Sequence, residues 1–305
     1  INASARSRTG TSVSPTPGDE YLYYQALLAA WPAGDSYPST SFVDRMRQFM
    51  IKATKEKKQH TSWIKPSPAY DSAVARFVEQ TLIGTRAKPF LARFMPFQRR
   101  VAELGMINSL AQVVLKIASP GVPDFYQGSE SWNFSLVDPD NRRPAEFALL
   151  ESAMALLGPS AADLLAHWAD GHVKQFVTAA GLRLRRREPD VFLYGAYLAP
   201  VTSGAKAQHV VALARRFQGK TVLAVVPRLV AELCGFETGM LPLGESIWGD
   251  TQLILPPELA GVRLQDVFSG AEFTGTGSIP LARLLAAFPV ALLVAGAELD
   301  SGRDL

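Results

Sequence analysis

The residues best suited to chemistry lie in one segment, 119–143, whose sequence is SPGVPDFYQGSESWNFSLVDPDNRR. Its carboxylates, amides, arginines and aromatic rings are those of Asp124, Gln127, Glu130, Asp138, Asp140, Asn141, Arg142, Arg143, Tyr126 and Trp132. Sugar sites use these residue types, because hydroxyl groups need paired donors and acceptors and pyranose faces pack on aromatic rings. A carbohydrate-binding loop is therefore one interpretation of this segment. The alternative is a surface loop held by its own Asp–Arg pairs and Asx turns.

The start of this segment predicts where its side chains point. The run Val122–Tyr126 fits a short buried strand that opens into the polar loop, so Tyr126 and Gln127 are expected to line a substrate cleft. The alternative for Tyr126 is a buried ring with its hydroxyl bonded inside the core. Trp132 is expected either to stack on a sugar or to anchor the loop. Arg142 and Arg143 are expected to meet sugar hydroxyls or to hold a carboxylate bidentately.

A second candidate is the motif HTSW at His60–Trp63, which follows the basic end of a helix. One interpretation is that His60 and Trp63 bind substrate. The alternative is a closure of the helix C-terminus in which Trp63 is packed as a staple. The neighbouring run of Lys52, Lys55, Lys57 and Lys58 is expected to be a solvated face rather than a phosphate or nucleic-acid site.

Six helices are predicted before Pro189 from apolar positions at three- and four-residue steps and from Ser, Pro and Gly signals at their ends. Their predicted ranges are Glu20–Trp31, Thr40–Lys58, Pro68–Ile83, Phe97–Ala118, Pro144–Leu157 and Gly171–Glu188. The fourth is short of charge between Leu104 and Leu115, so it is expected to be buried on more than one side.

The pattern changes near Pro189 to short runs of Val, Leu, Phe and Tyr separated by Gly, Pro and Asp. The predicted strands are Phe192–Ala199, His209–Phe217, Thr221–Pro227, Thr251–Leu255, Val262–Phe268 and Val290–Ala295. Their spacing favours an antiparallel sandwich or barrel. The sequence therefore predicts two domains, residues 1–188 and 189–305.

Composition excludes several classes of protein. The chain has 305 residues, of which 48% are hydrophobic and 19% charged, so it can bury a sizeable core. Its net charge of +3 does not indicate nucleic acid, and no uninterrupted apolar run reaches the roughly 18 residues that span a bilayer. The single Cys234 excludes an intramolecular disulfide and favours a reducing compartment such as the cytoplasm. Because the chain begins with Ile1, it is expected to be a piece of a longer protein or a processed one.

Several motifs carry a resemblance to a known family. The segment Pro120–Glu130 resembles the eighth-strand segment of the α-amylase clan, whose fold is a (β/α)8 barrel. More narrowly, the chain resembles the C-terminal region of the maltooligosyltrehalose synthase family from about Asp19 to Val294. The matching segments are EYLYYQALLAAWP near the start, HTSW at His60–Trp63, PGVPDFYQG at Pro120–Gly128, LVDPDNRRP at Leu136–Pro144, DVFSG at Asp266–Gly270 and FPVALL at Phe288–Leu293.

The resemblance implies a fold and an activity. The implied fold is a multi-domain α+β one, in which the mostly helical C-terminal part of the barrel precedes an antiparallel β-sandwich domain. The implied reaction converts the reducing-end α-1,4 bond of a maltooligosaccharide into an α,α-1,1 bond, by retaining chemistry with an Asp nucleophile, a Glu acid/base and a second Asp. No metal or organic cofactor, nucleic acid or membrane is implied. The partners are the maltooligosaccharide and the N-terminal part of the same protein.

One departure from the clan concerns the catalytic groups. The clan's seventh-strand motif is a His-Asp pair, and none of the four histidines here is followed by Asp. All three catalytic carboxylates are therefore expected outside this sequence, and the chain alone is expected to be inactive. Two alternatives remain. Another clan hydrolase or glucanotransferase would differ in subsites that the sequence does not reveal. A non-catalytic glucan- or protein-binding module would need a row of exposed aromatic residues after residue 189.

Overall fold

The computed structural model describes residues 1–9, 12–155 and 160–295. The chain divides into two compact units. Unit 1 comprises Ile1–Ala102 and Asn133–Pro144, and unit 2 comprises Glu103–Trp132 and Ala145–Leu305. Each unit is a group of residues that mainly contact one another, and a unit defined in this way need not be a domain. The predicted domain boundary near Pro189 therefore stays a prediction.

Unit 1 is helical, with a short hairpin of β1 (Ser7–Thr9) and β2 (Ser12–Ser14) before its helices. The helices are α1 (Pro17–Ala30), α2 (Thr40–Lys57), α3 (Pro68–Leu82) and the first half of α4 (Lys88–Ala118). A hydroxyl caps each of the first three: Thr16, Ser39 and Ser67 accept a bond from an amide of the first turn. The buried rings of Tyr23 and Phe77 meet edge to face in the core, with centroids 5.6 Å apart.

Unit 2 combines the second half of α4 with four further α-helices before the sheets and three short α-helices among the strands. They are α5 (Phe147–Ala155), α6 (Ala161–Ala166), α7 (His172–Arg187), α8 (Pro189–Tyr194), α9 (Val230–Cys234), α10 (Glu245–Trp248) and α11 (Leu281–Leu284). The strands are β3 (Ala196–Leu198), β4 (Val201–Ser203), β5 (Val210–Phe217), β6 (Lys220–Pro227), β7 (Gln252–Ile254), β8 (Arg263–Asp266), β9 (Glu272–Thr274), β10 (Ser278–Pro280) and β11 (Ala291–Ala295).

Two antiparallel sheets organise these strands. The larger has the order β3-β5-β6-β11-β8-β9, and the smaller has the order β10-β7-β4. Both faces of the larger sheet are buried at its centre. Alternate residues of β6 accordingly pack into two different hydrophobic clusters, one on each face of the sheet. Val222 and Val226 pack with Val114 of α4 and with the other helices, whereas Leu223 packs with Leu253 of the smaller sheet.

The long helix α4 has the composition of a core helix. Among the described residues, it is long and apolar enough to cross a bilayer by length and composition alone. Half of its most apolar stretch of 18 residues is buried inside the protein, and Leu110, Val114 and Ile117 belong to the core of unit 2. The helix also starts earlier than predicted, at Lys88, and continues through Pro96.

The predicted strand Val122–Tyr126 is wrong: the segment has no regular secondary structure, and Val122 is 88% exposed. A strand needs a neighbour to bond its backbone, and among the described residues no strand pairs with it. Side chains bond the carbonyls here instead. Lys116 Nζ donates to Asp124 O at 2.8 Å, and Arg185 donates to the carbonyls of Ile117 and Gly121.

The predicted strand Phe192–Ala199 is also partly wrong. Its first residues form helix α8, which starts at Pro189 and buries Val191 and Phe192, and only Ala196–Leu198 is extended. The aromatic and β-branched run VFLY favours a strand by composition. Pro189, however, favours the first turn of a helix, because an amide N–H at that position would have no partner within the helix. The other five predicted strands are found as β5, β6, β7, β8 and β11. The predicted helix end at Leu157 lies outside the described residues.

Candidate functional site

The candidate residues divide between the two units. His60, Trp63, Asp138, Asp140, Asn141, Arg142 and Arg143 lie in unit 1, whereas Tyr126, Gln127 and Trp132 lie in unit 2. The two sets are therefore described separately.

In unit 1, Asp140 anchors the loop that carries the motif LVDPDNRRP. Arg45 of α2 grips its carboxylate bidentately, with Nε and Nη2 at 2.8 and 2.7 Å from the two oxygens. The Leu136 amide donates to the same carboxylate at 2.7 Å, and Arg143 lies 3.0 Å away. Burial alone would raise the pKa of Asp140, but these bonds and the charges of Arg45 and Arg143 outweigh it and lower the pKa below its ordinary value.

Asp138 forms a second, more exposed anchor. Lys52 of α2 donates to both its backbone carbonyl and its carboxylate, the latter at 3.1 Å, and Arg142 lies 2.9 Å from the other carboxylate oxygen. The bond and charge of Lys52 lower the pKa of Asp138. The side chains left facing solvent are the guanidinium groups of Arg142 and Arg143, 73% and 53% exposed, and the amide of Asn141.

The expectation that the lysine run of α2 is a solvated face agrees with the exposed Lys57 and Lys58 but is wrong for Lys52 and Lys55, whose side chains are each 17% exposed. Lys52 pairs with Asp138, Lys55 with Asp71 at 3.3 Å, and Lys57 with Asp19 at 2.8 Å. Sequence reasoning also missed Arg45, the main partner of Asp140. The only available signal was the helical spacing that puts Arg45 and Lys52 seven residues apart on one face, and it does not identify their partners.

The motif HTSW is attached to the same helix. The His60 ring stacks on Tyr70 with centroids 4.9 Å apart, and the Tyr70 hydroxyl donates to the buried Asp19. Trp63 is 60% exposed, and the Lys55 ammonium lies 4.7 Å from the centre of its ring. Trp63 is therefore not packed as a staple, which rules out that alternative. More than half of the Trp63 surface is open to solvent.

In unit 2, Tyr126 and Gln127 lie in an exposed turn, and the Tyr126 ring is 55% exposed. Trp132 is held more firmly. Its indole N–H donates to Trp168 O at 2.6 Å, and Lys174 lies 5.6 Å from its ring. These contacts make Trp132 an anchor of its loop, and a sugar contact by its remaining surface stays a prediction.

The groups that unit 1 exposes around α2 are of types that form hydrogen bonds and stacking contacts. Both acids of the motif loop are engaged by cations from α2, so its outward groups are donors: two guanidinium groups and an amide. Trp63, on another loop attached to α2, adds an exposed aromatic face. Among the described residues, no cluster of three or more His, Cys, Asp or Glu side chains could hold a metal ion.

An exposed indole and a loop of outward donors are compatible with a carbohydrate-active protein but do not define one. Comparison with known proteins narrows this class. A Mycobacterium tuberculosis protein named "Putative maltooligosyl trehalose synthase" is 33% identical over 288 residues, which are 93% of this chain and 32% of that protein. The solved maltooligosyltrehalose synthase of Arthrobacter ramosus is 32% identical with a TM-score of 0.71, over 90% of this chain and 32% of that one.

A further solved structure, titled as a maltooligosyl trehalose synthase, is 29% identical with a TM-score of 0.69, over 91% of this chain and 33% of the other. No family model matches the chain. The chain thus spans about a third of the length of the relatives it matches. The resemblance predicted from the motifs is confirmed, because the chain is similar to maltooligosyltrehalose synthases. The share of those proteins that it covers is consistent with a C-terminal portion of such a protein.

Proposed function

We propose that this chain is part of an intramolecular glucosyl transferase that converts the reducing-end α-1,4 bond of maltooligosaccharides into an α,α-1,1 bond. One observation carries the proposal beyond the similarity itself. Two motifs shared with the family, HTSW and LVDPDNRRP, are both fixed to α2, the first through Lys55 and the second through Arg45 and Lys52. A single rigid helix therefore supports two loops, as a preorganised binding surface requires.

His60 supports its loop by stacking on Tyr70, and each of the other candidate residues has a proposed role. Trp63 stacks on a pyranose face, while Arg142, Arg143 and Asn141 donate to hydroxyl groups. Asp138 and Asp140 shape the loop. In the other unit, Tyr126 and Gln127 line the substrate cleft, and Trp132 anchors their loop.

The proposal also covers the domain organisation of the chain and the location of the catalytic carboxylates. We infer that residues 1–188 form the last part of a (β/α)8 barrel with inserted helices and that residues 189–305 form a β-sandwich domain. The three catalytic carboxylates lie in the N-terminal part of the full-length protein, and the protein acts in the cytoplasm without a metal or organic cofactor. The absence of a His-Asp pair and the single cysteine support these inferences.

The arginine pair gives the sharpest test. In the full-length protein, Arg142→Ala combined with Arg143→Ala should lower kcat/KM on maltopentaose about tenfold or more for each lost charge-assisted bond. The matched control replaces Arg76 and Arg93, two exposed arginines of unit 1 outside the loop. A double variant with wild-type kcat/KM would remove both arginines from the site.

Product analysis separates the alternatives. The full-length protein should convert maltopentaose into a non-reducing pentasaccharide, whereas a clan hydrolase would release new reducing ends. A non-catalytic module would bind the glucan and leave it unchanged. The 305-residue chain alone should form no product above a buffer blank, because losing even one carboxylate of a retaining site costs several kcal/mol of transition-state stabilisation.

A further inference from the structure

One face of helix α7 holds the segment of unit 2 that carries Tyr126. Lys174, Gly181 and Arg185 follow one another at steps of seven and four residues, so they lie on the same side of this helix. A Cβ on Gly181 would lie 2.7 Å from the side chain of Ile117, so this side of α7 packs directly on the end of α4. The segment that follows α4 therefore begins next to α7.

Arg185 fixes the first end of the segment. Its guanidinium donates to Ile117 O at 2.7 Å and also to Gly121 O. The planar fork of a guanidinium can bond two acceptors at once, and Arg185 is further held over the Phe192 ring, with Cζ 4.8 Å from the ring centre. This end is thus anchored through backbone carbonyls that no strand partner satisfies.

Lys174 fixes the other end of the segment near the start of α7. Its ammonium donates to Ser131 O at 3.1 Å, and the indole N–H of Trp132 donates to Trp168 O at 2.6 Å. Gly171 lets the chain approach this closely, because a Cβ there would lie 2.0 Å from Ser131 Oγ. Both ends of the segment are therefore attached to one rigid helix.

The chain between these two ends is longer than the span it has to cover. Lys174 and Arg185 are eleven positions apart in the sequence, which is about 16 Å along the helix axis. The ten residues from Gly121 to Ser131 could extend to about 33 Å. The segment must therefore bend away from α7 between its anchors.

The bend places Tyr126 beside a third anchor. Lys116 of α4 donates to Asp124 O at 2.8 Å, and the Ser129 amide closes a turn by donating to Tyr126 O at 3.0 Å. Among the described residues none is hydrogen-bonded to the side chain of Tyr126, which is 55% exposed. The anchored backbone therefore decides where this ring lies.

The environment of Lys174 is unfavourable for its charge. Burial and the charge of Lys116 lower the pKa of Lys174 to about 8, and attraction to Glu130 offsets these effects only in part. A partly buried ammonium beside a second ammonium is a local conflict, and such conflicts are expected chiefly at functional sites. This supports a role for Lys174 beyond packing.

We propose that Arg185 and Lys174 are positioning residues of the glucosyl transfer, which hold the loop of Tyr126 and Gln127 in its substrate-binding geometry. The inference rests on the proposed function, in which those two residues line the cleft. Neither cation contacts the sugar, and each acts through the backbone carbonyls that it bonds. Without them the loop must be ordered when substrate binds, which weakens binding of the ground state and the transition state alike.

Steady-state kinetics of the full-length protein on maltopentaose tests this proposal. Arg185→Met removes the carbonyl bonds and should raise KM about tenfold, while kcat changes less than about twofold. Arg185→Lys should recover part of the loss, because an ammonium can bond one of the two carbonyls. Lys174→Met should raise KM several-fold, and Lys174→Arg, which keeps a charged donor, should restore it. Arg186→Met is the matched control, an exposed neighbour on α7 whose replacement should leave KM unchanged.

A second control separates positioning from stability. Arg215 is a buried arginine of β5 that donates to Gly195 O at 2.8 Å, outside the segment. Arg215→Met should lower the melting temperature but leave KM unchanged well below the melting transition. A purely structural role for Arg185 predicts the same KM for Arg185→Met and Arg215→Met.

Limited proteolysis of the 305-residue chain tests the anchoring without any activity. Chymotrypsin can cleave after Phe125 or Tyr126 once the loop opens, so the cleavage rate follows the population of the open loop. Arg185→Met should raise this rate about tenfold, and Arg186→Met should leave it unchanged.

Three results would overturn the proposal: wild-type KM in Arg185→Met, an equal rise of KM in Arg215→Met, or unchanged cleavage of the loop in Arg185→Met. If Arg185→Met does not fold, Lys174→Met and its rescue by Lys174→Arg decide the same question. A wild-type full-length protein that forms no non-reducing pentasaccharide would refute the proposed function and this inference with it. If the product forms and the variants keep their KM, this inference alone fails.

Discussion

Replacing Asp140 by Ala tests whether the motif loop depends on its anchor. The carboxylate is 11% exposed and its partner Arg45 is 16% exposed, so both are largely removed from water. Removing one partner of a buried pair costs about 3–5 kcal/mol, since the other charge is left uncompensated. Some solvent reaches both groups, and we therefore expect a loss of about 3 kcal/mol in the free energy of unfolding.

Urea unfolding of the 305-residue chain, followed by circular dichroism and tryptophan fluorescence, measures this loss. Asp138→Ala is the matched control, because its side chain is 39% exposed and its loss should be clearly smaller. A double-mutant cycle with Arg45→Met should return a coupling energy of at least about 1.5 kcal/mol for a charged bidentate pair. A loss below about 1 kcal/mol in Asp140→Ala would refute the anchoring role.

The pH dependence gives an independent check of the same pair. Because folding lowers the pKa of Asp140, its contribution is fully present above about pH 4, the pKa of an unfolded carboxyl, and is lost as pH falls through the folded value. The stability difference between wild type and Asp140→Ala should therefore be constant from pH 7 to about pH 5 and shrink below about pH 4. A difference that stays constant to lower pH would show that the charge of Asp140 is not what holds the loop.

Three further predictions concern other parts of the chain. Asp266→Ala should lower the free energy of unfolding by about 2–3 kcal/mol, because the backbone amides of Ser269 and Leu292 lose their acceptor. Burial raises the pKa of Asp266, so the stability of the wild type should fall as pH rises above about 4, and the variant should lack this fall. In Gly171→Ala the new Cβ would lie 2.0 Å from Ser131 Oγ, whereas Gly219 has a similar positive φ and open space around it. Gly171→Ala should therefore lower the free energy of unfolding by at least about 1 kcal/mol more than Gly219→Ala, and thermal melts of the two variants measure the difference. Trp63→Ala should change stability by less than about 1 kcal/mol while raising KM for maltopentaose several-fold in the full-length protein.

Local patterns predicted those elements whose stability is mostly local. The spacing of Phe42, Met46 and Met50 predicts α2, and all three residues are buried in one cluster. The apolar run of β6 likewise matches a strand that is buried on both faces. In such elements, propensity, capping and packing all favour the same structure, so the sequence alone is sufficient.

The errors fall where distant partners decide the structure. Val122–Tyr126 has the composition of a strand, but composition does not supply a neighbouring strand. Arg45 and Asp140 are 95 positions apart, and no spacing rule connects residues so far apart in the sequence. The expectation for Lys52 and Lys55 is wrong for the same reason, since their partners Asp138 and Asp71 lie outside α2.

The use of the two acids in the motif loop bears on where the chemistry takes place. By residue type, Asp138 and Asp140 could be taken for a catalytic pair, because two carboxylates are what a retaining glycosidase site needs. A catalytic nucleophile must reach the sugar, yet Asp140 is gripped by two nitrogen atoms of Arg45 and by a backbone amide. A general acid needs a raised pKa at neutral pH, yet the pKa of both carboxyls is lowered. Asp140 is therefore suited to neither role and Asp138 is unsuited to that of the general acid, which agrees with the proposal that the catalytic carboxylates come from another part of the full-length protein.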